Sequence, residues 1–344
     1  MKEFNRQLSI WRKGRFVIET KNKKIDTLDS TLAVSNNIPT KRKKKSLKNK
    51  LWRDRYLLLL ILPGVLYFLI YRYIPMAGIL LAFKDYSPFR GFADSPWVGL
   101  KYFKLIFEDA EVIQVIWNTL QISMLQIFFA FPISIVLALM LNEIRNQLYK
   151  KFLQSIVYLP HFLSWVVVVG ITVIFLRSEG LINNVLVNFL EINPIPFLTD
   201  PALFKPIVIF QVIWKESGWG TILFLAALSG VSPHLYEAAV IDGASRLRQM
   251  WHITLPALKS TIVILLILRL GNVMDSGFEQ IFLMLNPFNM ETGNVLDTYV
   301  YFKGIQQANF SFATAVGLFK GIIGLILVVL ANRLAKKFGE DGLY

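Results

Sequence analysis

Residues 112–142 and 152–176 run without one Asp, Glu, Lys or Arg. A helix needs about 20 mostly apolar residues to cross the hydrocarbon core of a bilayer, and both runs exceed that. Few soluble folds could bury two such segments. The rest of the chain agrees, with 54% hydrophobic and only 17% charged residues. Four further stretches have the length and apolarity but carry charges: 56–83 with Arg72, 206–236 with Lys215 and Glu216, 260–285 with Arg269, Asp275 and Glu279, and 304–332 with Lys320. The expectation is an all-α polytopic membrane protein with six transmembrane helices, its first partner being the lipid bilayer.

Orientation follows from the bias of Lys and Arg toward the cytoplasmic ends of spans. With both termini cytoplasmic, the inner regions hold most of the 37 Lys and Arg and the outer loops hold seven. The cluster Lys41 to Lys45, Lys48, Lys50, Arg53 and Arg55 then lies beside the first span. The net charge of +14 is mainly a property of residues 1–50. That segment has no recognition helix, zinc spacing or repeated aromatic pattern, so attraction to anionic lipid explains its charge and no nucleic acid partner is expected. Residues 1–50 are read as a basic, disordered cytoplasmic tail with a possible surface helix at 8–18 and no cleavable signal before the first span; residues 51–344 are the transmembrane domain. No cysteine is present, which excludes disulfides and thiolate metal sites.

Between two apolar segments lies a hydrophilic connection at about 230–258, cytoplasmic in this orientation. Ser232 before Pro233 is a helix start, the Ser oxygen accepting from free N–H groups and Pro tolerating the first helical position. Gly243 can take the left-handed conformation that ends this helix. Ser245 can cap a second short helix, with Pro256 helping to stop it. Ala238 and Ala239 keep the first helix slim, while Glu237 and Asp242 offer carboxylates to arginines on another surface. The knob suits a groove on a partner protein, although an ordinary amphipathic connection has much the same composition.

Within the spans, charges cost roughly 2.5–3.5 kcal/mol each on insertion scales and must face protein or a watery path. Trp214, Lys215, Glu216 and Trp219 form one such group. Arg269, Asn272, Asp275 and Glu279 fall on one side of a continuous helix and form a second. Either these groups line a solute path, or Arg269 and Lys215 neutralise Asp275, Glu216 or Glu279 in a structural network. His161, behind Pro160, reads as a structural hydrogen-bonder. Gly317, Gly321 and Gly324 permit close helix packing. The turn- and aromatic-rich loop 83–116 reads as an outer docking surface or a packing cap. No GxxxxGK[ST] loop, catalytic constellation or metal-ligand cluster is visible, so no catalytic residue, bound cofactor or metal is expected.

The loop also carries a pattern. Glu237-Ala238-Ala239, three residues, Gly243, nine residues, Ile253, one residue, Leu255-Pro256 resembles the EAA loop of bacterial ATP-binding-cassette importer permeases at every signature position. Leu62-Pro63-Gly64, Tyr73-Ile74-Pro75-Met76, Tyr158-Leu159-Pro160-His161-Phe162, Gly277-Phe278-Glu279-Gln280 and Asp297-Thr298-Tyr299-Val300-Tyr301 extend the likeness to the carbohydrate-uptake, polysaccharide-type (LplB-like) permeases. The resemblance implies a type I importer with the MetI-like fold in the cytoplasmic membrane of a bacterium. It implies a second homologous permease, two copies of an ATPase carrying the ATP and Mg, and an extracytoplasmic sugar-binding lipoprotein or protein that docks on outer loops 83–116 and 286–303. The substrate would be an oligosaccharide moved by alternating access, with Glu237, Ala238, Ala239, Asp242, Gly243, Ile253, Leu255 and Pro256 as the ATPase-coupling loop. The competing readings are a self-contained ion- or proton-coupled transporter or channel and a permease for a non-sugar solute.

Overall fold

The computed structural model describes residues 54–337 together with Trp52, Gly339 and Gly342. The tail 1–50, the helix expected at 8–18 and the basic cluster up to Arg53 lie outside the described residues. Among the described residues, secondary structure is helical apart from a single antiparallel bridge between Lys84 and Trp97. The chain divides into two compact units, residues 1–72 and 73–344.

In the first unit, α1 (Arg55–Phe68) buries no side chain. Pro63 sits in its interior, and a wider π-turn, Leu69–Tyr73, follows. A helix that is apolar all round and buries none of its side chains is suited to lipid or to another chain.

The second unit opens on a 3-10 segment, Ala77–Phe83, against which the last helix packs. Its helices are α2 (Lys101–Glu108), α3 (Ala110–Glu143), α4 (Gln147–Tyr158), α5 (Trp165–Leu176), α6 (Leu181–Leu190), α7 (Pro201–Leu228), α8 (Pro233–Ile241), α9 (Arg246–Ala257), α10 (Lys259–Gly271), α11 (Phe278–Met284), α12 (Leu296–Tyr301) and α13 (Phe310–Lys337). Side chains start several of them. Asp109, Asn146 and Asp200 each accept from a backbone N–H of the following first turn. Helix α3 is central: its second half packs along α7, where the Thr221 hydroxyl donates to the Ser134 carbonyl at 3.1 Å. One apolar cluster joins Ile106, Val115, Tyr299 and Phe312; a second joins Phe204, Val208 and Ile281; a third joins Ala138, Phe224 and Leu258.

Four helical stretches are long and apolar enough to cross a membrane: Arg55–Phe83, Ala110–Glu143, Trp165–Leu190 and Phe310–Lys337. Two bent pairs, α7 with α8 at 76° and α9 with α10 at 54°, bring the number to as many as six. The expected architecture is therefore present, with two spans differing in form.

The third span was expected to be continuous over 152–176. Instead α4 ends at Tyr158, a 3-10 turn covers Leu159–Phe162, and α5 restarts at Trp165. Pro160 has no N–H to give the ladder, and the Ser164 hydroxyl accepts from the Val167 N–H at 3.4 Å to begin the new helix. The fifth span was expected to be one helix over 260–285. It stops at Gly271, runs irregularly through 272–277, and resumes as α11 after Gly277, whose φ of +92° suits only glycine. The side-by-side placement of Arg269, Asn272, Asp275 and Glu279 inferred from 100° per residue therefore holds only in part: the first three line one small crevice with Gln126, and Glu279 is exposed and not among its lining residues. Non-helical backbone at membrane depth is tolerated where protein covers it or a cavity receives it. Here Val273, Met274 and Ser276 are buried, and the Gln126 amide donates to the Ser276 carbonyl at 3.4 Å.

Candidate functional site

The hydrophilic connection forms the corner expected of it. Helix α8 begins with Pro233 at its first position, and Gly243 follows it at φ +75°. Ser245 caps α9 by accepting from the Arg248 N–H at 3.4 Å. Two details differ. The Ser232 side chain makes no cap, so the fixed φ of Pro233 starts the helix without it. Pro256 does not end α9 before itself: the helix widens into a π-turn at Met250–Thr254, continues through Pro256, and bends after Ala257.

The corner is held from within. Tyr236 Oη lies 3.0 Å from Thr254 Oγ1, the Gln249 amide donates to the Ala244 carbonyl at 2.9 Å, and the Ala244 N–H donates to the Ala239 carbonyl at 2.8 Å. Arg246 reaches Glu143 at the end of α3, 3.9 Å away. The outer surface is displayed instead of packed. Glu237, Ala238, Asp242, Gly243 and Pro256 are exposed, Ala239, Ile253 and Leu255 are half-buried, and Val240, Ile241, Leu247 and Trp251 present bare apolar surface around them. Among the described residues Glu237 touches only His234 of its own helix, at 3.1 Å.

The intramembrane candidates fall mainly into three places, the first two joined by a small crevice that Arg269, Asn272 and Asp275 share. The first is a recess of about 270 Å³ between α3, α7 and α10 that receives Glu216, Trp219 and Arg269. Lys215 is buried behind it. Its ammonium donates to the His161 carbonyl at 2.6 Å, pairs with Glu216 at 3.5 Å and lies over the Trp165 ring. His161 Nδ1 sits 3.0 Å from the other Glu216 oxygen, and its ring stacks on Trp219 with centroids 4.5 Å apart and planes 8° apart. His161 is thus the structural hydrogen-bonder anticipated. Arg269 donates to Gln126 Oε1 at 3.4 Å and makes no ion pair among the described residues, so of the anticipated network only the Lys215–Glu216 pair forms.

The second place is a cavity of about 560 Å³ between α10 and α13. Asn272 and Asp275 line it, and so do Asp297 and Lys320, a pair that the sequence left unmatched. Lys320 Nζ is 2.5 Å from Asp297 and 3.6 Å from Asp275. A lysine inside a span needs an acceptor, and that requirement was the available signal. Gly317 and Gly321 face the cavity without close neighbours, while Gly324 alone meets another helix, its Cα facing the Gly271 carbonyl. Trp214 belongs to the third place, an apolar cavity of about 590 Å³ with Phe175, Ile207 and Phe210, where Gln211 donates to Thr172 at 2.8 Å. Glu279 is exposed and belongs to none of the three.

The loop 83–116 is an ordered structure. Lys84 is buried and donates to the Phe92 carbonyl at 2.6 Å, while its ammonium lies over the Phe92 and Trp97 rings. Tyr102 donates to Asp85 at 2.5 Å, and burial, helped by that carboxylate, pushes its hydroxyl up to about 12. Phe89 at the tip is wholly exposed.

Residues 130–340 match the family described as "Binding-protein-dependent transport system inner membrane component", a stretch containing the exposed corner and all three cavities. The chain belongs to this family. It is 52% identical over 304 residues to the polygalacturonan/rhamnogalacturonan transport system permease protein YteP of Bacillus subtilis (strain 168), covering 88% of this chain and 95% of that relative. It is 51% identical over 292 residues to the protein LplB of the same organism, covering 85% and 92%. The fold matches a chain of the bacterial alginate ABC transporter, solved in complex with an alginate pentasaccharide-bound periplasmic protein, with a TM-score of 0.80 and 40% identity over 86% of this chain and 99% of that one. The chain is accordingly an integral membrane transport subunit with the type I, MetI-like permease fold.

Proposed function

We propose that this permease imports an oligosaccharide by alternating access, with ATP hydrolysed by separate subunits that engage the Glu237 corner. The observation that carries this is the corner's construction. It is rigid inside, through Tyr236–Thr254 and Gln249–Ala244, and open outside, where the exposed Glu237 carboxylate meets His234 of its own helix and stands among bare apolar side chains. A surface fixed internally and unsatisfied externally is suited to transmit force from a partner. The bends of 76° and 54° on either side join the corner directly to α7 and α10, the helices that carry the Trp219 recess. Motion of the corner would therefore reach the intramembrane polar groups through two helices.

In this reading both termini are cytoplasmic, ATP and Mg sit on the two ATPases, a second homologous permease completes the pathway, and an extracytoplasmic sugar-binding protein meets the loop around Phe89. The relatives named for polygalacturonan, rhamnogalacturonan and alginate support a saccharide as substrate. Isolating the chain with its neighbours in the membrane tests the assignment. An ATPase should be recovered with it, and uptake should require ATP; uptake by the chain alone, driven by an ion gradient, would contradict it. Orientation is tested separately. The chain has no cysteine, so single cysteines placed at Ala238 and Phe89 should label from opposite sides of the membrane.

A further inference from the structure

Two cations stand at polar cavities on α10 and α13, and they differ in what is left of their bonding capacity. Lys320 is held between Asp297 and Asp275. Arg269 lines the Trp219 recess, touches Gln126 through one N–H, and pairs with no carboxylate among the described residues. A guanidinium has five N–H donors in a planar fork that matches a carboxylate, and the described residues leave most of this group's capacity unused where it lines the recess opposite Glu216. Lys215 cannot serve in its place, since its ammonium is consumed by His161 and Glu216. Glu216 is likewise occupied, by Lys215 on one oxygen and His161 on the other.

The neighbouring ring has the complementary property. Trp219 has one face covered by the parallel His161 ring and is 47% exposed overall. The result is a flat aromatic surface held at a fixed angle in the same recess as a guanidinium that makes no ion pair within 4.0 Å among the described residues. A charged recess at this depth does not face hydrocarbon, so it opens on the second permease or on a watery path. Its 270 Å³ lies just below the roughly 300–1,000 Å³ of sites that enclose a drug-sized ligand, and suits one ring rather than a chain of them.

We propose that the Trp219–Arg269 recess is a subsite for a uronic acid residue of the transported saccharide, the pyranose face lying on Trp219 and the carboxylate received by Arg269. This rests on the saccharide-importer reading and adds to it the charge class of the substrate and the residues that select it.

The test uses the permease assembled with its partner subunits in proteoliposomes. Trigalacturonate and trimannuronate are each offered beside the matching trimer with its carboxylates reduced to alcohols, and uptake is scored per assembled complex. The unmodified complex should prefer the acidic trimer of at least one pair. Arg269→Gln should lower that acidic-to-neutral ratio about tenfold, as expected for loss of one charge-assisted pair. Arg269→Lys, which keeps the charge without the fork, should keep part of the preference, and this ratio remains readable if the Gln variant is not recovered. Trp219→Leu should lower acidic and neutral uptake together without moving the ratio. Equal uptake of acidic and neutral trimers by the unmodified complex, or an Arg269→Gln variant with an unchanged ratio, would overturn the subsite and leave the importer reading intact. Failure of the unmodified complex to take up any of the four trimers would count against both.

Discussion

The corner around Glu237 and the cluster around Lys320 use the same residue types in opposite ways. The Glu237 side chain is 67% exposed and, among the described residues, is met only by His234 one turn before it. Lys320 lies between two carboxylates contributed by other segments of the chain, Asp275 just after α10 and Asp297 in α12. Carboxylate and cation alone therefore say little about role. The distinction is whether the chain satisfies its own charge. A charge left to water contributes little to the fold and is available to a partner. A charge already matched inside the bilayer cannot lose its match without leaving the other member stranded.

Replacing Lys320 by Met should show the largest effect. It would strand Asp297, one of whose oxygens is already buried without a hydrogen-bond partner among the described residues, and would release Asp275. Removing one member of a fully buried pair costs about 3–5 kcal/mol; Lys320 and Asp297 are 23% and 20% exposed, so the loss lies toward the lower end of that range, and the recovered complex and its thermal midpoint in detergent should both fall. A Met variant recovered and transporting normally would end the inward-satisfied reading of this cluster.

Gly218→Ala comes next. An added Cβ would meet the Val157 carbonyl, a backbone atom held where α4, the first part of the broken third span, approaches α7. Overpacking of this kind costs about 1–3 kcal/mol, and the loss should appear as a lower midpoint.

Asp275→Ala and Asn272→Ala sharpen the comparison. Lys320 keeps Asp297 in the first, and Asn272 is exposed with a single bond to the Leu268 carbonyl, so complex recovery should be near normal in both. If the cavity between α10 and α13 lines the solute path, uptake per assembled complex should nevertheless fall. Unchanged uptake in both variants would remove this cavity from the path.

Tyr102→Phe should show the smallest effect, about 1 kcal/mol, since one hydrogen bond to Asp85 is lost while Lys101 stays 3.8 Å from that carboxylate. The sign of its pH dependence is fixed. The hydroxyl is held neutral above its ordinary value of 10.0, up to about 12, so its contribution is complete below pH 10 and is lost as pH rises from 10 toward 12. The midpoint of the unmodified protein should drop faster than that of Tyr102→Phe across this window, and parallel profiles would contradict the Tyr102–Asp85 assignment.

How much could be read beforehand follows from the range of the interactions involved. The corner is local: Pro233, Gly243 and Ser245 act within one helical turn of themselves, and each took its expected place except for the idle Ser232 hydroxyl. The spans were legible because each depends on its own apolar length. The breaks in the third and fifth spans were not. Pro160 and Gly277 were visible, but whether a helix bends through such a residue or stops depends on what satisfies the freed backbone. The satisfying groups, Lys215 for the His161 carbonyl and Gln126 for that of Ser276, come from distant helices. The Asp297–Lys320 pair was hidden for the same reason, and the Arg269–Trp219 recess needed the register of α7 against α10. Trp214 and Trp219, five residues apart, were expected together but face different cavities, because five residues turn a helix by about 140°.

The central claim is that the Glu237 corner carries work from an ATPase to the intramembrane helices. It is tested most directly by reconstituting the complete transporter with Glu237→Lys and measuring saccharide-stimulated ATP hydrolysis and uptake in the same vesicles. The expected result is normal insertion and assembly of the permease with its partner permease, together with uptake that no longer follows ATP hydrolysis. Normal uptake by the Lys variant at a normal level of complex would contradict the claim.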